Sequence, residues 1–196
     1  MKPLTLTLLA SIIILSLTAQ KNTTTKKPLT NTIALGYSWP NIPALALSVD
    51  VEKGFFSPFG PLTLHYEKGI SKRISLGLIA AYSKAKSKQL TEPGGNTYHY
   101  NIRLFTMLVN SNYYYLLKPK VQLYSGAGIG FFNLGADGEA DLGTGTPEKL
   151  KDAGSGFAFQ LNVIGVKYYP NGKIGFAAEI GAGYNGILNI GLTYKL

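Results

Sequence analysis

Residues 166–196 read VKYYPNGKIGFAAEIGAGYNGILNIGLTYKL, and this stretch decides the fold class. Apolar residues alternate with small or polar residues over 173–183 and again over 187–196. Alternation with a period of two predicts β-strands that have one apolar face. The turn Pro170-Asn171-Gly172 and the glycine-rich connection 181–186 are short, so consecutive strands are predicted to be antiparallel neighbours.

The same alternation recurs upstream and predicts eight strands in all. Their expected bounds are 31–39, 61–69, 73–86, 97–117, 121–135, 156–169, 173–183 and 187–196. The parity of the apolar positions switches near Thr106 and Ile164, which predicts β-bulges at these two places. The stretch 44–53 also alternates and is either a loop excursion or a further short strand.

The connections between these strands are short and long in turn. Tight turns are predicted at 69–72, 118–120 and 170–172, and long polar loops at 40–60, 87–96 and 137–155. Bacterial barrels that cross a bilayer have short periplasmic turns and longer extracellular loops. The sequence therefore predicts an all-β fold, an eight-stranded antiparallel up-and-down transmembrane β-barrel.

Alternation alone does not say whether the apolar face points inward, as in a lipocalin-like barrel, or outward, as in a membrane barrel. Two observations favour the membrane barrel. The polar face is rich in Gly, Ala, Ser and Thr, which suits a narrow lumen better than a solvated exterior. Aromatic residues also gather near both strand ends, as expected of belts at the two membrane–water interfaces. They are Tyr37, Trp39, Tyr82, Tyr98, Tyr100, Phe157 and Phe159 at the long-loop end, and Tyr66, Tyr113, Tyr114, Tyr115, Tyr168, Tyr169 and Tyr194 at the short-turn end.

Composition excludes several other classes of protein. The 196 residues include no cysteine, so neither a disulfide framework nor a cysteine-based metal site can form. The formal net charge of +9 comes from lysines scattered over the tail, loops and turns, with no basic helix, which argues against nucleic-acid binding. Attraction to anionic lipid head groups explains these lysines better.

The amino-terminal segment is predicted to direct export. Residues 1–19, MKPLTLTLLASIIILSLTA, have one lysine, an apolar run and small residues at the end, as in a secretory signal peptide. Residues 20–30 are polar and are predicted to form a flexible lead-in to the barrel, which occupies 31–196.

Three segments resemble the small outer-membrane β-barrel proteins of Gram-negative bacteria, a porin-like family related to OmpW and to the OmpA membrane domain. These segments are 60–83, 121–132 and 166–196. The last strand resembles the signal by which such barrels are recognised for assembly, carried here by Leu192, Tyr194 and Leu196, although the family usually ends in an aromatic residue. The resemblance implies an outer-membrane location, contact with outer-membrane lipids and lipopolysaccharide, and the barrel-assembly machinery as a partner during biogenesis.

The residues offer little for catalysis. His65 and Glu67 share a strand face, with Ser75 or Ser83 as conceivable nucleophiles on the next strand. A lipid-modifying enzyme would need them at the lipid surface, whereas they are predicted to face the lumen. We expect instead an interior polar network of His65, Glu67, Arg103, Glu179 and Lys195, with Arg103 paired to Glu179, because buried charges need partners.

Two further motifs do not indicate a cofactor or a metal. The acidic residues of 137–148 match calcium-loop spacing, but Leu142 stands where glycine is required. The sequence GAGYNG, at 181–186, matches a dinucleotide-binding fingerprint, but no helix can follow it. Neither a cofactor nor a metal is expected.

The sequence thus favours a non-enzymatic outer-membrane barrel with a structural or surface-interaction role. Three alternatives are a narrow conduit for small or hydrophobic solutes, a lipid-modifying enzyme, and a secreted lipocalin-like ligand-binding barrel. The oligomeric state is not indicated.

Overall fold

A computed structural model describes residues 30–39, 57–86, 90–91, 97–141 and 148–196. Within these ranges, nine strands form one antiparallel sheet. They are β1 (Thr32–Trp39), β2 (Ser57–Gly69), β3 (Ile74–Lys86), β4 (Leu90–Thr91), β5 (Thr97–Leu117), β6 (Val121–Asp141), β7 (Glu148–Tyr168), β8 (Ile174–Gly183) and β9 (Leu188–Lys195). In the same residues, no helix is long and apolar enough to span a membrane.

Eight of these strands close into a barrel, and β4 is a two-residue strand that pairs with β5. Strand β1 pairs with both β2 and β9, so that Ile33 lies opposite Tyr66 on one side and Tyr194 on the other. Strands β3 and β5 pair directly and complete the ring. Closure leaves no sheet edge, so backbone groups can be satisfied without water, which a bilayer interior requires.

The apolar side chains point out of the barrel and the polar ones point into it. Leu64, Phe176 and Ile190 are 51%, 58% and 54% exposed, whereas Thr63 and Thr193 are 0% and 2% exposed. The predicted outward apolar face is therefore confirmed. The lipocalin-like alternative is wrong, because such a barrel has its apolar residues inside.

The predicted strand bounds hold within a few residues, with one larger difference. Strand β6 continues to Asp141 and β7 begins at Glu148, so the predicted loop 137–155 is mostly strand. In this extension Asp137 lies opposite Lys151, and Glu139 opposite Lys149. A polar segment that reads as a loop in the sequence therefore continues the backbone ladder between the two strands.

One predicted bulge is present and the other is not. The β7–β8 register shifts between Asn162 and Ile164, as predicted. No shift occurs near Thr106, because β5 pairs with β3 without interruption from Asn101 to Tyr113. The prediction at Thr106 was wrong because Leu104 and Leu108 are apolar residues on the inward face of β5. They make this face apolar in its upper part, whereas the alternation of side chains along the strand continues without a break. The predictions for 1–29 and 44–53 lie outside the described residues.

Candidate functional site in the barrel lumen

A buried ion pair spans the lumen between β2 and β7. The Nζ of Lys167 lies 2.8 Å from Oε2 of Glu67, and the two side chains are 5% and 10% exposed. Sequence reasoning placed Glu67 in the lumen but missed Lys167. The shift at Ile164 was the available signal, because a one-residue bulge turns Gly165, Lys167 and Tyr169 toward the lumen.

Neutral donors complete the coordination of the Glu67 carboxylate. Nδ2 of Asn112 donates to Oε2 of Glu67 at 2.9 Å, and the Tyr114 hydroxyl donates to Oε1. Lys167 Nζ donates to the Tyr114 hydroxyl oxygen at 2.8 Å and lies 5.4 Å from the centre of the Tyr114 ring. A buried charge pair is tolerable only with such additional bonds, which here tie together β2, β5 and β7.

The second lumen carboxylate, Glu179 on β8, is held by neutral groups. The Tyr124 hydroxyl donates to Oε1 of Glu179, and Nδ2 of Asn189 donates to Oε2 at 3.2 Å. The Tyr124 ring is connected to the ion pair, since Lys167 Nζ lies 5.0 Å from its centre and the Tyr114 and Tyr124 rings are 5.0 Å apart. The two carboxylates therefore belong to one network centred on Lys167.

The expected pairing of Arg103 with Glu179 is wrong. Arg103 lies on the outer face of β5, in phase with the exposed Phe105 and Met107, and its guanidinium pairs with Asp137 on β6. The Arg103 and Asp137 side chains are 52% and 44% exposed. Arg103 points outward because the β5 register is unbroken. The predicted bulge at Thr106 would have turned its side chain inward.

His65 and Lys195 lie at the margins of the network. The Nε2 of His65 has no hydrogen-bond partner among the described residues, and the ring borders a cavity of about 20 Å³ shared with Thr63, Glu67 and Glu179. That volume corresponds to about one water molecule. Lys195 lies at the short-turn mouth, where Nζ donates to the Pro119 carbonyl at 3.3 Å and sits 3.7 Å from the centre of the Tyr169 ring.

Toward the long-loop end, the lumen contains apolar residues and the β8–β9 connection. Ile79, Leu108 and Ala158 form a buried cluster, against which Phe132 and Tyr184 pack with ring centres 4.9 Å apart. Gln160 anchors the connection: its Oε1 accepts from the Asn185 backbone N–H and its Nε2 donates to the Gly186 carbonyl, both at 3.0 Å. Sequence reasoning identified the glycines here as a tight loop but not its inward position.

The conceivable catalytic residues are not assembled. His65 lies opposite Ile79 on β3, whereas Ser75 lies opposite Gly69 and Ser83 is four residues beyond Ile79. His65 and Glu67 face the lumen, away from the lipid surface. In the described part of the chain, no group of three or more His, Cys, Asp or Glu side chains is arranged to hold a metal ion.

The aromatic belts are outward-facing, with two exceptions. The exposed members are Tyr37, Trp39, Tyr82, Phe157 and Phe159 at one end, and Tyr66, Tyr113, Tyr115, Tyr168 and Tyr194 at the other. Tyr114 and Tyr169 were assigned to the belt but point into the lumen, at 1% and 0% exposure, where their hydroxyls serve the polar network. The side chains of Tyr98 and Tyr100 lie outside the described set. Leu192 and Leu196 are exposed on the lipid-facing side with Tyr194.

Comparisons with known proteins identify a family for the chain and similar solved structures. The structure is similar to the N-terminal β-barrel domain of Pseudomonas aeruginosa OprF, at 11% identity and a TM-score of 0.42, over 87% of this chain and 100% of that one. It is also similar to Ail, the attachment invasion locus protein of Yersinia pestis, at 12% identity and a TM-score of 0.42, over 84% of this chain and 91% of that one. No curated protein sequence matches the chain significantly. The family model for the outer membrane protein beta-barrel domain matches residues 7–194, so the chain belongs to this family and is an outer-membrane β-barrel.

Proposed function

We propose that this protein is a non-enzymatic, non-conducting barrel with a structural or surface-interaction role in the outer membrane. The observation that carries the proposal is that side chains occupy the lumen at two depths. An eight-stranded barrel has an interior just wide enough for side chains. Here the Lys167 network fills it toward the short-turn end, and the Phe132–Tyr184 stack fills it toward the long-loop end.

Two independent obstructions support occlusion better than one would. The polar obstruction is held by hydrogen bonds that join β2, β5 and β7 around Glu67 and β6, β8 and β9 around Glu179. The apolar obstruction depends on a separate connection anchored by Gln160. A continuous water path would need both to rearrange at once. Because the lumen side chains stabilise the barrel, interaction with other molecules would use the connections outside it.

Single-channel recording in planar bilayers tests the proposal. We expect the wild-type barrel to show no discrete conductance steps. The double variant Phe132→Ala and Tyr184→Ala, which removes the ring stack of the apolar obstruction, should also remain closed, since the network around Lys167 is untouched. Discrete openings in the wild type that change with Lys167→Met would overturn the proposal and favour the conduit for small solutes.

A further inference from the structure

In the described part of the chain, the turns and adjoining strand ends at the short-turn end of the barrel carry positive charge and no exposed acidic side chain. Its turns and the adjoining strand ends contain Lys68, Lys72, Arg73, Lys118, Lys120 and Lys173, and Lys195 lies at the mouth. No Asp or Glu occurs in the segments that form this end, 68–75, 113–123, 167–175 and 193–196. Every short connection contributes at least one cation, so the charge surrounds the mouth. We call this set of seven residues the basic rim.

In the sequence, the segments that contain the predicted long loops have a different balance of charge. Segments 40–56, 84–103 and 137–152 contain seven Lys and Arg with eight Asp and Glu, so the two signs nearly cancel. The remaining two acids, Glu67 and Glu179, are buried in the lumen. The chain's high net charge therefore arises from the basic rim and from the amino-terminal segment rather than from the barrel as a whole.

The basic rim begins at the depth of the lipid head groups. Lys68 is two residues from the exposed Tyr66 on the same face of β2, where a long side chain can reach along the lipid-facing wall to the interface. Nη1 of Arg73 donates to the hydroxyl of Tyr113 at 3.2 Å, and Tyr113 is an exposed member of the aromatic belt. Since aromatic belts lie at the membrane–water interface, the Arg73 guanidinium is held at that level.

We infer that the basic rim binds the phosphates of anionic phospholipids in the leaflet at the short-turn end. Guanidinium and ammonium groups form charge-assisted hydrogen bonds with phosphate oxygens. No Asp or Glu side chain stands in the segments of this end to repel the phosphates. A soluble polyanion or cell-wall glycan would meet only the turn tips, so the position of Lys68 on the wall and of the Arg73 guanidinium at the aromatic belt favours lipid. The inference does not depend on whether the lumen conducts.

The experiment measures lipid selectivity in vesicles that contain the full folded chain. Spin-labelled phosphatidylglycerol and spin-labelled phosphatidylcholine are compared in phosphatidylcholine vesicles, and the immobilised fraction of each gives their relative association with the protein. We expect about fivefold selectivity for phosphatidylglycerol, about the effect of one basic residue near the surface. It should fall toward unity in 0.5 M salt, since exposed charges are screened there.

Two variants with the same loss of charge separate the possible partners. Lys68→Gln with Arg73→Gln removes the two cations at the level of the aromatic belt and should reduce the selectivity to below about twofold. Lys118→Gln with Lys120→Gln removes tip cations and should leave most of it. Lys68→Arg with Arg73→Lys should preserve it, and heat-dependent gel mobility confirms that each variant is folded.

Three outcomes would overturn the inference. The first is an absence of selectivity in the wild type. The second is a loss of selectivity in Lys84→Gln as large as that in Lys68→Gln with Arg73→Gln, since Lys84 is an exposed cation at the opposite end. The third is a larger effect of the tip variant combined with binding of soluble peptidoglycan fragments, which would identify a cell-wall partner instead.

Discussion

Replacing Lys167 by methionine tests whether the lumen network stabilises the barrel. Methionine keeps most of the side chain's volume but leaves the Glu67 carboxylate buried without its cation, 2.8 Å from where the ammonium stood. Breaking a buried ion pair by removing one partner costs about 3–5 kcal/mol. The lost contacts of the ammonium with the Tyr114 and Tyr124 rings add to this cost. We expect Lys167→Met to lower the free energy of unfolding by about 3–5 kcal/mol.

Urea unfolding in lipid vesicles measures this effect. Trp39, the chain's single tryptophan, is exposed on the lipid-facing side at 57%, so its fluorescence reports whether the barrel is in the bilayer. The double variant Lys167→Met with Glu67→Gln should recover at least half of the loss, because neither charge then remains unpaired.

Arg103→Gln is the matched control. It removes one partner of the exposed pair with Asp137 and should change the free energy of unfolding by no more than about 1 kcal/mol. If Arg103→Gln costs as much as Lys167→Met, or if Lys167→Met costs less than about 1 kcal/mol, the reasoning from burial is wrong.

Two further predictions concern packing and assembly. A Cβ on Gly165 would lie within 2.4 Å of the Tyr124 ring, so Gly165→Ala should reduce stability by about 1–3 kcal/mol. Gly135→Ala meets no atom within 4 Å and should have a much smaller effect in the same urea titration; equal effects would contradict the packing argument. Since the proposed assembly signal departs from its family pattern only at Leu196, Leu196→Phe should speed folding by the barrel-assembly machinery in a reconstituted assay. An unchanged rate would mean that Leu192 and Tyr194 suffice or that the signal lies elsewhere.

Much of the fold followed from local patterns. Period-two alternation at 31–39, 173–183 and 187–196 predicted strands whose bounds match the structure, and the position of the turns set their antiparallel order. The outward apolar face was also predictable, because each strand separates its polar and apolar residues locally. The polar extension of β6 and β7 was not predictable, because its residues lack the apolar alternation that marks the other strands.

The sequence by itself determined the barrel, its location and the lumen position of His65, Glu67 and Glu179. Only the tertiary structure decided which charges meet. Glu67 is bonded to a lysine 100 positions away, and Arg103, which shares a strand with Tyr114, faces the other side of the wall. Contacts across a lumen depend on the register of every intervening strand, and a one-residue bulge such as that near Ile164 reverses which side chains enter it. Alternation within a strand determines which side chains share a face, whereas closure of the ring determines how deep each lumen side chain lies and which side chains it contacts.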